Sequence, residues 1–149
     1  MEAHAQAAQV GSSAAPGLPV RDGAARALNS YQQNQVLTAS REQLVVLTYD
    51  GIVRFLGRAC RGLESGDYHE KHLGMARAEA LIIELARALD HSAAPELAAS
   101  LARIYGYWLD ELMTADAADD SARLRAVVKL VGELREAWAD AARGATGDA

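Results

Sequence analysis

Leu28-Asn29-Ser30-Tyr31-Gln32-Gln33-Asn34-Gln35-Val36-Leu37-Thr38-Ala39-Ser40, continued by Arg41-Glu42-Gln43-Leu44-Val45-Val46-Leu47-Thr48-Tyr49-Asp50-Gly51, carries the transition from a polar lead-in to a sharply started helix. Ser40 is a good N-cap, and Gln43 stands three residues on, where its amide can return to the Ser40 N–H as a capping box. Ala39 and Leu44 occupy the positions of a weak hydrophobic staple. Beyond the cap, Val45, Tyr49, Ile52, Leu56, Ala59 and Leu63 recur with alternating steps of four and three, the seam of a bundle helix. The helix is expected over Arg41 to Ser65, stopped by a left-handed Gly66. Leu44, Leu47 and Phe55 form a second stripe about 100° away, so the apolar face is broad enough to pack on the bundle and still meet something else.

The same periodicity continues downstream. Asp67 caps a second helix, with Glu70 at the capping-box position and Met75, Ala78, Ile82, Leu85 and Leu89 inward, to about His91. A link this short makes the first two helices antiparallel. Pro95 suits the first turn of a third helix, whose inward positions are Leu97, Leu101, Ile104, Trp108 and Leu112, ending near Ala115. Asp119 or Asp120 caps a fourth, with Leu124, Val127, Val131, Leu134 and Trp138 inward until Gly144. The expected fold class is all-α, an antiparallel up-down-up-down four-helix bundle over residues 40–143, with a disordered tail at 144–149. Residues 1–24, rich in Ala, Gln, Ser, Gly and Pro without a period, are expected to be a disordered extension. Residues 25–39 are expected to form a cap segment, in which Leu28, Tyr31, Gln35 and Val36 keep the spacing of a short amphipathic helix, the alternative being a loose tail with incidental apolar residues.

Composition removes several classes of function. At 149 residues the chain suits one domain with a proper core. Half its residues are hydrophobic but only 5% are aromatic, and much of the apolar content is alanine, which favours closely packed helices. A net charge of −5 with scattered Lys and Arg argues against nucleic acid. No apolar run approaches a membrane span, and Met1-Glu2-Ala3-His4 lacks the basic start of a signal peptide, so the cytoplasm is the expected compartment. Cys60 is the single cysteine, expected as a small buried thiol. Ferritin-like metal sites need Glu-x-x-His motifs, and none occurs; His69-Glu70-Lys71-His72 reads as a solvated helix start. Neither catalytic apparatus nor a cofactor is expected.

An interaction surface is the better reading. Tyr31, Tyr49, Tyr105, Tyr107 and Trp108 are five of eight aromatic residues, and rings with a polar tip suit surfaces apolar on one side and wet on the other. Tyr49 and Trp108 lie on inward stripes, so core burial competes with partner contact for both. Tyr105 and Tyr107 cannot share a helix face; Tyr107 is expected exposed, Tyr105 at a groove edge.

The tyrosine, Gln-rich spacer, Val36, Thr38-Ala39-Ser40, Leu44 and Tyr49-Asp50-Gly51 resemble the FliS family of flagellar export chaperones. Glu64-x-Gly66-Asp67, Leu101-x-x-Ile104-Tyr105-x-Tyr107 and Glu133-Leu134-Arg135-Glu136-Ala137-Trp138 follow in the family's order, so the likeness runs from about Leu28 to Arg143. Arg41 stands where the family commonly has proline, Ala94-Pro95 replaces a common Gly-Gly, and the N-terminal extension is unusually long. The resemblance implies a chaperone that binds the C-terminal segment of flagellin, prevents premature polymerisation and hands it to a flagellar export gate component. It also allows a regulatory protein of flagellar gene expression as a further partner, and a monomer or weak homodimer. The candidate partner contacts are Leu28, Tyr31, Val36, Leu44, Leu47, Tyr49, Phe55, Tyr105 and Trp108. Leu28 and Tyr31 would act either in a lid over the client groove or as direct contacts. The rival reading is a partner-binding or dimerising four-helix bundle unrelated to flagella.

Overall fold

A computed structural model of the protein describes residues 40–147, and the side chains of 40–144. Four helices account for nearly all of them: α1 (Arg41–Ser65), α2 (Tyr68–Arg87), α3 (Pro95–Ala118) and α4 (Ser121–Gly147). No strand occurs among the described residues. The extension, the cap segment and the last two residues lie outside them, together with Leu28, Tyr31 and Val36.

The start of α1 is the one expected from Ser40 and Gln43. The Gln43 N–H donates to Ser40 Oγ at 3.1 Å, and the Ser40 N–H donates to Gln43 Oε1 at 2.8 Å. Gly66 ends the helix at φ 80°, ψ 12°, where a side chain would be strained. The Asp67 N–H then closes onto the Gly62 carbonyl at 2.8 Å. Asp67 caps α2 by accepting from the Glu70 N–H at 3.1 Å. The reciprocal half of that box does not form, because the Glu70 carboxylate turns to Arg58 of α1, taking bonds of 3.0 and 3.1 Å.

Helix α2 stops at Arg87, short of the expected His91. Asp90 Oδ1 accepts from Ser92 N–H, Ser92 Oγ–H and Ala93 N–H, drawing the chain into a turn. These bonds, led by the Ser92 hydroxyl, hold the Asp90 carboxyl below its usual range. Ala94, at φ −144°, is kept out of helical geometry by the proline that follows it. Helices α3 and α4 instead run three residues past their expected ends at Ala115 and Gly144. Between them Asp119 takes the left-handed conformation at φ 50°, and Asp120 caps α4 by accepting from the Arg123 N–H at 3.0 Å.

Residue pairings establish the antiparallel order. Helix α1 meets α2 through Arg58–Glu70 and α4 through Asp50–Arg135 and Tyr49–Trp138. Helix α3 meets α2 through Asp116–Lys71 and α4 through Glu111–Arg123. A second pair on each interface runs the opposite way along the two helices. Gly51 faces Leu81 between α1 and α2, and Leu85 and Leu101 line one groove between α2 and α3. Ile104 and Leu134 line another between α3 and α4, and Glu64 pairs with Arg125 between α1 and α4, so each neighbour is antiparallel to the next. Helix α1 packs more extensively on α2 and α4 than α3 does. Glycine permits the close α1–α2 approach: a Cβ on Gly74 would fall 2.5 Å from the Phe55 carbonyl oxygen, and one on Gly62 would fall 2.6 Å from the Lys71 nitrogen.

The core follows the seams, with Ile52, Leu56, Ala78, Ile82, Leu112, Leu124 and Val131 buried. Cys60 is buried too, and burial pushes its thiol above the usual range. One inward assignment changes, and several others are only partly covered. Leu97 is 55% exposed, because Ala98 takes the inward position at the start of α3. Val45, Leu63, Leu89, Ile104, Leu134 and Trp138 are partly buried, packed against the core. Lys71, read with its neighbours as part of a solvated helix start, is instead buried at 4% exposure. Its Nζ lies 2.6 Å from Asp119 Oδ1 and 2.8 Å from Asp116 Oδ1, the latter a charge contact outside hydrogen-bonding geometry, and it donates to the Asp116 carbonyl at 3.1 Å. Burial works to lower its pKa, and the two carboxylates more than offset that.

Candidate functional site

Where the N-terminal turns of α1 and α3 meet the end of α2, the bundle opens into a groove of about 710 Å³. Leu44, Val45 and Thr48 come from α1, Leu85 and Leu89 from the end of α2 and its turn, Leu97, Leu101 and Tyr105 from α3, and Trp138 from α4. The groove exists because α2 ends early: the Asp90 turn carries the chain across to Pro95 instead of adding another helical turn there. Leu44 and Leu97 stay exposed on its walls. Arg41, Glu42, Glu84 and Asp90 also line it, giving three acidic groups and one basic group. A second groove of about 590 Å³ runs between α3 and α4, lined by Ile104, Tyr107, Trp108, Leu130 and Leu134 with Arg103 and Glu133.

The two grooves share an aromatic partition. Tyr49, Tyr105 and Trp108 pack with ring centroids 6.4, 5.8 and 5.4 Å apart, two of the three contacts edge-on. The Tyr49 and Tyr105 hydroxyls are 2.7 Å apart, and Trp138 Nε1–H donates to the Tyr49 oxygen at 3.2 Å. Burial pushes the Tyr49 hydroxyl far above the ordinary tyrosine range, and its hydrogen bond to Tyr105 adds to the rise. Tyr105 is raised by burial too, with the Tyr49 bond acting in the opposite direction. Both are therefore neutral hydroxyls at physiological pH.

The residues expected to contact a partner separate into groups. Leu44 and Tyr105 line the first groove and Trp108 the second. Tyr49 is fully buried, Trp108 is buried, and Tyr105 is at the floor of its groove, not at an edge. Leu47 is exposed, at 38%, but lines neither groove. Phe55 is half-buried, its ring flanked by the guanidinium groups of Arg54 and Arg77 at 5.5 and 5.7 Å. Tyr107 is exposed, as its spacing from Tyr105 demands. Sequence reasoning missed Leu97 and Trp138 as groove walls, since both sit on stripes that read as inward. Among the described residues, no three His, Cys, Asp or Glu side chains cluster so as to hold a metal ion, and no helix is long and apolar enough to cross a membrane.

Comparison with known proteins agrees with this architecture. The family described as flagellar protein FliS matches residues 24–145. The flagellar secretion chaperone FliS of Bacillus subtilis is 32% identical over 112 residues, covering 75% of this chain and 83% of that protein. Its namesake in Campylobacter jejuni is 31% identical over 112 residues, covering 75% and 88%, and that of Salmonella typhimurium is 31% identical over 107 residues, covering 71% and 79%. The chain belongs to the FliS family, and these three relatives are named flagellar secretion chaperones.

Proposed function

We propose that this chain is a cytoplasmic chaperone that holds the C-terminal segment of flagellin, keeps it from polymerising early and passes it to the flagellar export apparatus. Family membership supplies the chaperone role. The observation that carries the client reading is the open groove between α1, α2 and α3, whose walls leave Leu44 and Leu97 in solvent. A short amphipathic helix laid in such a groove buries its apolar stripe without disturbing the bundle. The client must order itself to bind, which spends part of the interaction energy and leaves release possible without nucleotide.

Titration with a C-terminal flagellin segment tests the reading. The chain should bind that segment, and Leu44→Asp with Leu97→Asp should weaken binding at least about tenfold, with helix content unchanged because both side chains are already exposed. No binding by the unaltered chain would overturn the flagellin assignment. Full-strength binding by the doubly substituted chain would move the client away from this groove.

A further inference from the structure

The hydroxyls beneath the first groove leave one hydrogen without an acceptor. Trp138 Nε1–H, Tyr49 O–H and Tyr105 O–H are three donors, joined by two hydrogen bonds. The Trp138 bond ends on the Tyr49 oxygen, and the hydroxyl–hydroxyl bond consumes one of the two O–H hydrogens. The other has no partner among the described residues. If Tyr105 donates to Tyr49, the spare hydrogen sits on Tyr49, which is fully buried and lines neither groove. If Tyr49 donates to Tyr105, the spare hydrogen sits on Tyr105, a residue of the groove lining. A donor sealed away from every acceptor is costly, which favours the second arrangement, in which the spare hydrogen sits on the groove-lining residue. Tyr105, a groove-lining residue only 2% exposed, then carries the one unpaired O–H of the trio.

We propose that Tyr105 is a specificity-determining residue of the groove, and that its hydroxyl selects a client helix with one neutral acceptor, the side-chain carbonyl of an asparagine or glutamine, on its apolar face. The inference rests on the client reading above and adds to it the chemistry of one contact. A neutral acceptor is favoured for two reasons. Desolvating a carboxylate at such a depth costs far more than desolvating an amide. Glu42, Glu84 and Asp90 against Arg41 also make the lining acidic, which repels an anionic client group. A hydrocarbon at the same point would leave the O–H unsatisfied, so the site discriminates against wholly apolar helices as well.

The test is a double-mutant cycle by calorimetric titration. The flagellin C-terminal peptide, and variants in which each asparagine is replaced by leucine or each glutamine by methionine, are titrated into the unaltered chain, Tyr105→Phe and Tyr49→Phe. Tyr105→Phe keeps the ring and should weaken the parent peptide about three- to tenfold, with that loss absent for one peptide variant. Tyr49→Phe retains the Tyr105 hydroxyl and should preserve the discrimination. Circular dichroism checks that each variant remains helical. An equal loss against every peptide would make Tyr105 a packing residue and overturn the proposal, as would unaltered affinity of the unaltered chain for every amide-lacking peptide. That second outcome stands even if Tyr105→Phe folds poorly. Absence of binding by the unaltered chain to the parent peptide overturns the client reading and this inference with it.

Discussion

Tyr49 shows how one buried polar atom ties three helices together. Its ring fills the core of α1, its oxygen receives the Trp138 N–H from α4, and its hydroxyl meets that of Tyr105 on α3. Because burial raises the hydroxyls of Tyr49 and Tyr105, the folded protein keeps both protonated above the pH at which unfolded tyrosines ionise. Raised pKa values give stability that is complete below about pH 10 and lost as pH climbs past it. Lys71 is also raised and acts with the same sign. Denaturant unfolding between pH 8 and 11 is expected to show a flat contribution up to about pH 10 and then a decline, to which Tyr49 alone contributes a slope approaching about 1.4 kcal/mol per pH unit. Tyr49→Phe should cost about 1–3 kcal/mol at neutral pH, by leaving the Trp138 N–H unpaired, and should make the alkaline decline shallower. An unchanged alkaline slope would show that Tyr49 titrates normally.

At the scale of elements, glycines of the same helical class have opposite roles. Gly74 lets α2 settle against the backbone of α1, where a Cβ would meet the Phe55 carbonyl oxygen at 2.5 Å and the Ala59 nitrogen at 2.8 Å. Backbone cannot rotate aside as a side chain can, so the helices would have to separate. Gly74→Ala is expected to destabilise by about 1–3 kcal/mol net, even though alanine is the better helix former by about 1 kcal/mol. Gly106 lies on the exposed side of α3 with nothing within 4 Å of its would-be Cβ. Gly106→Ala should therefore stabilise, by up to about 1 kcal/mol. Thermal melts of the two variants decide the matter, and shifts of the same sign in both would refute the close-approach argument. The early end of α2 belongs to this scale as well, because the Asp90 turn both closes the helix and opens the first groove.

For the whole molecule, the family match begins at residue 24, and the segment before it carries no periodic apolar face. Deleting residues 1–24 is expected to leave the thermal midpoint within about 2 °C, the shift that a few tenths of a kcal/mol produces in a domain of this size. A drop several times larger would show that the extension contributes to the packed protein. Ion pairs also join the helices, Lys71 of α2 reaching Asp119 in the α3–α4 turn and Arg135 joining the middle of α4 to Asp50 of α1.

The existence and order of the helices and the inward face of each were largely legible in the chain, because they follow from local chemistry. The Ser40–Gln43 box, Gly66, Asp67 and Pro95 act within a few residues, and steps of three and four identify one face of each helix. Periodicity assigns a residue to a face without saying how deeply that face is covered. Tyr49, Trp108, Leu97 and Trp138 all fell on inward stripes, yet the first two are buried while Trp138 is only partly covered and Leu97 is exposed on the wall of the first groove. Their difference arises at the ends of the bundle, where coverage depends on how far the neighbouring helices extend. The Tyr49–Tyr105–Trp138 hydrogen bonds and the Lys71–Asp119 pair join residues between 48 and 89 positions apart. Propensity and spacing act locally and have no term for such partners, so only the packing of four helices around a common axis could bring them together.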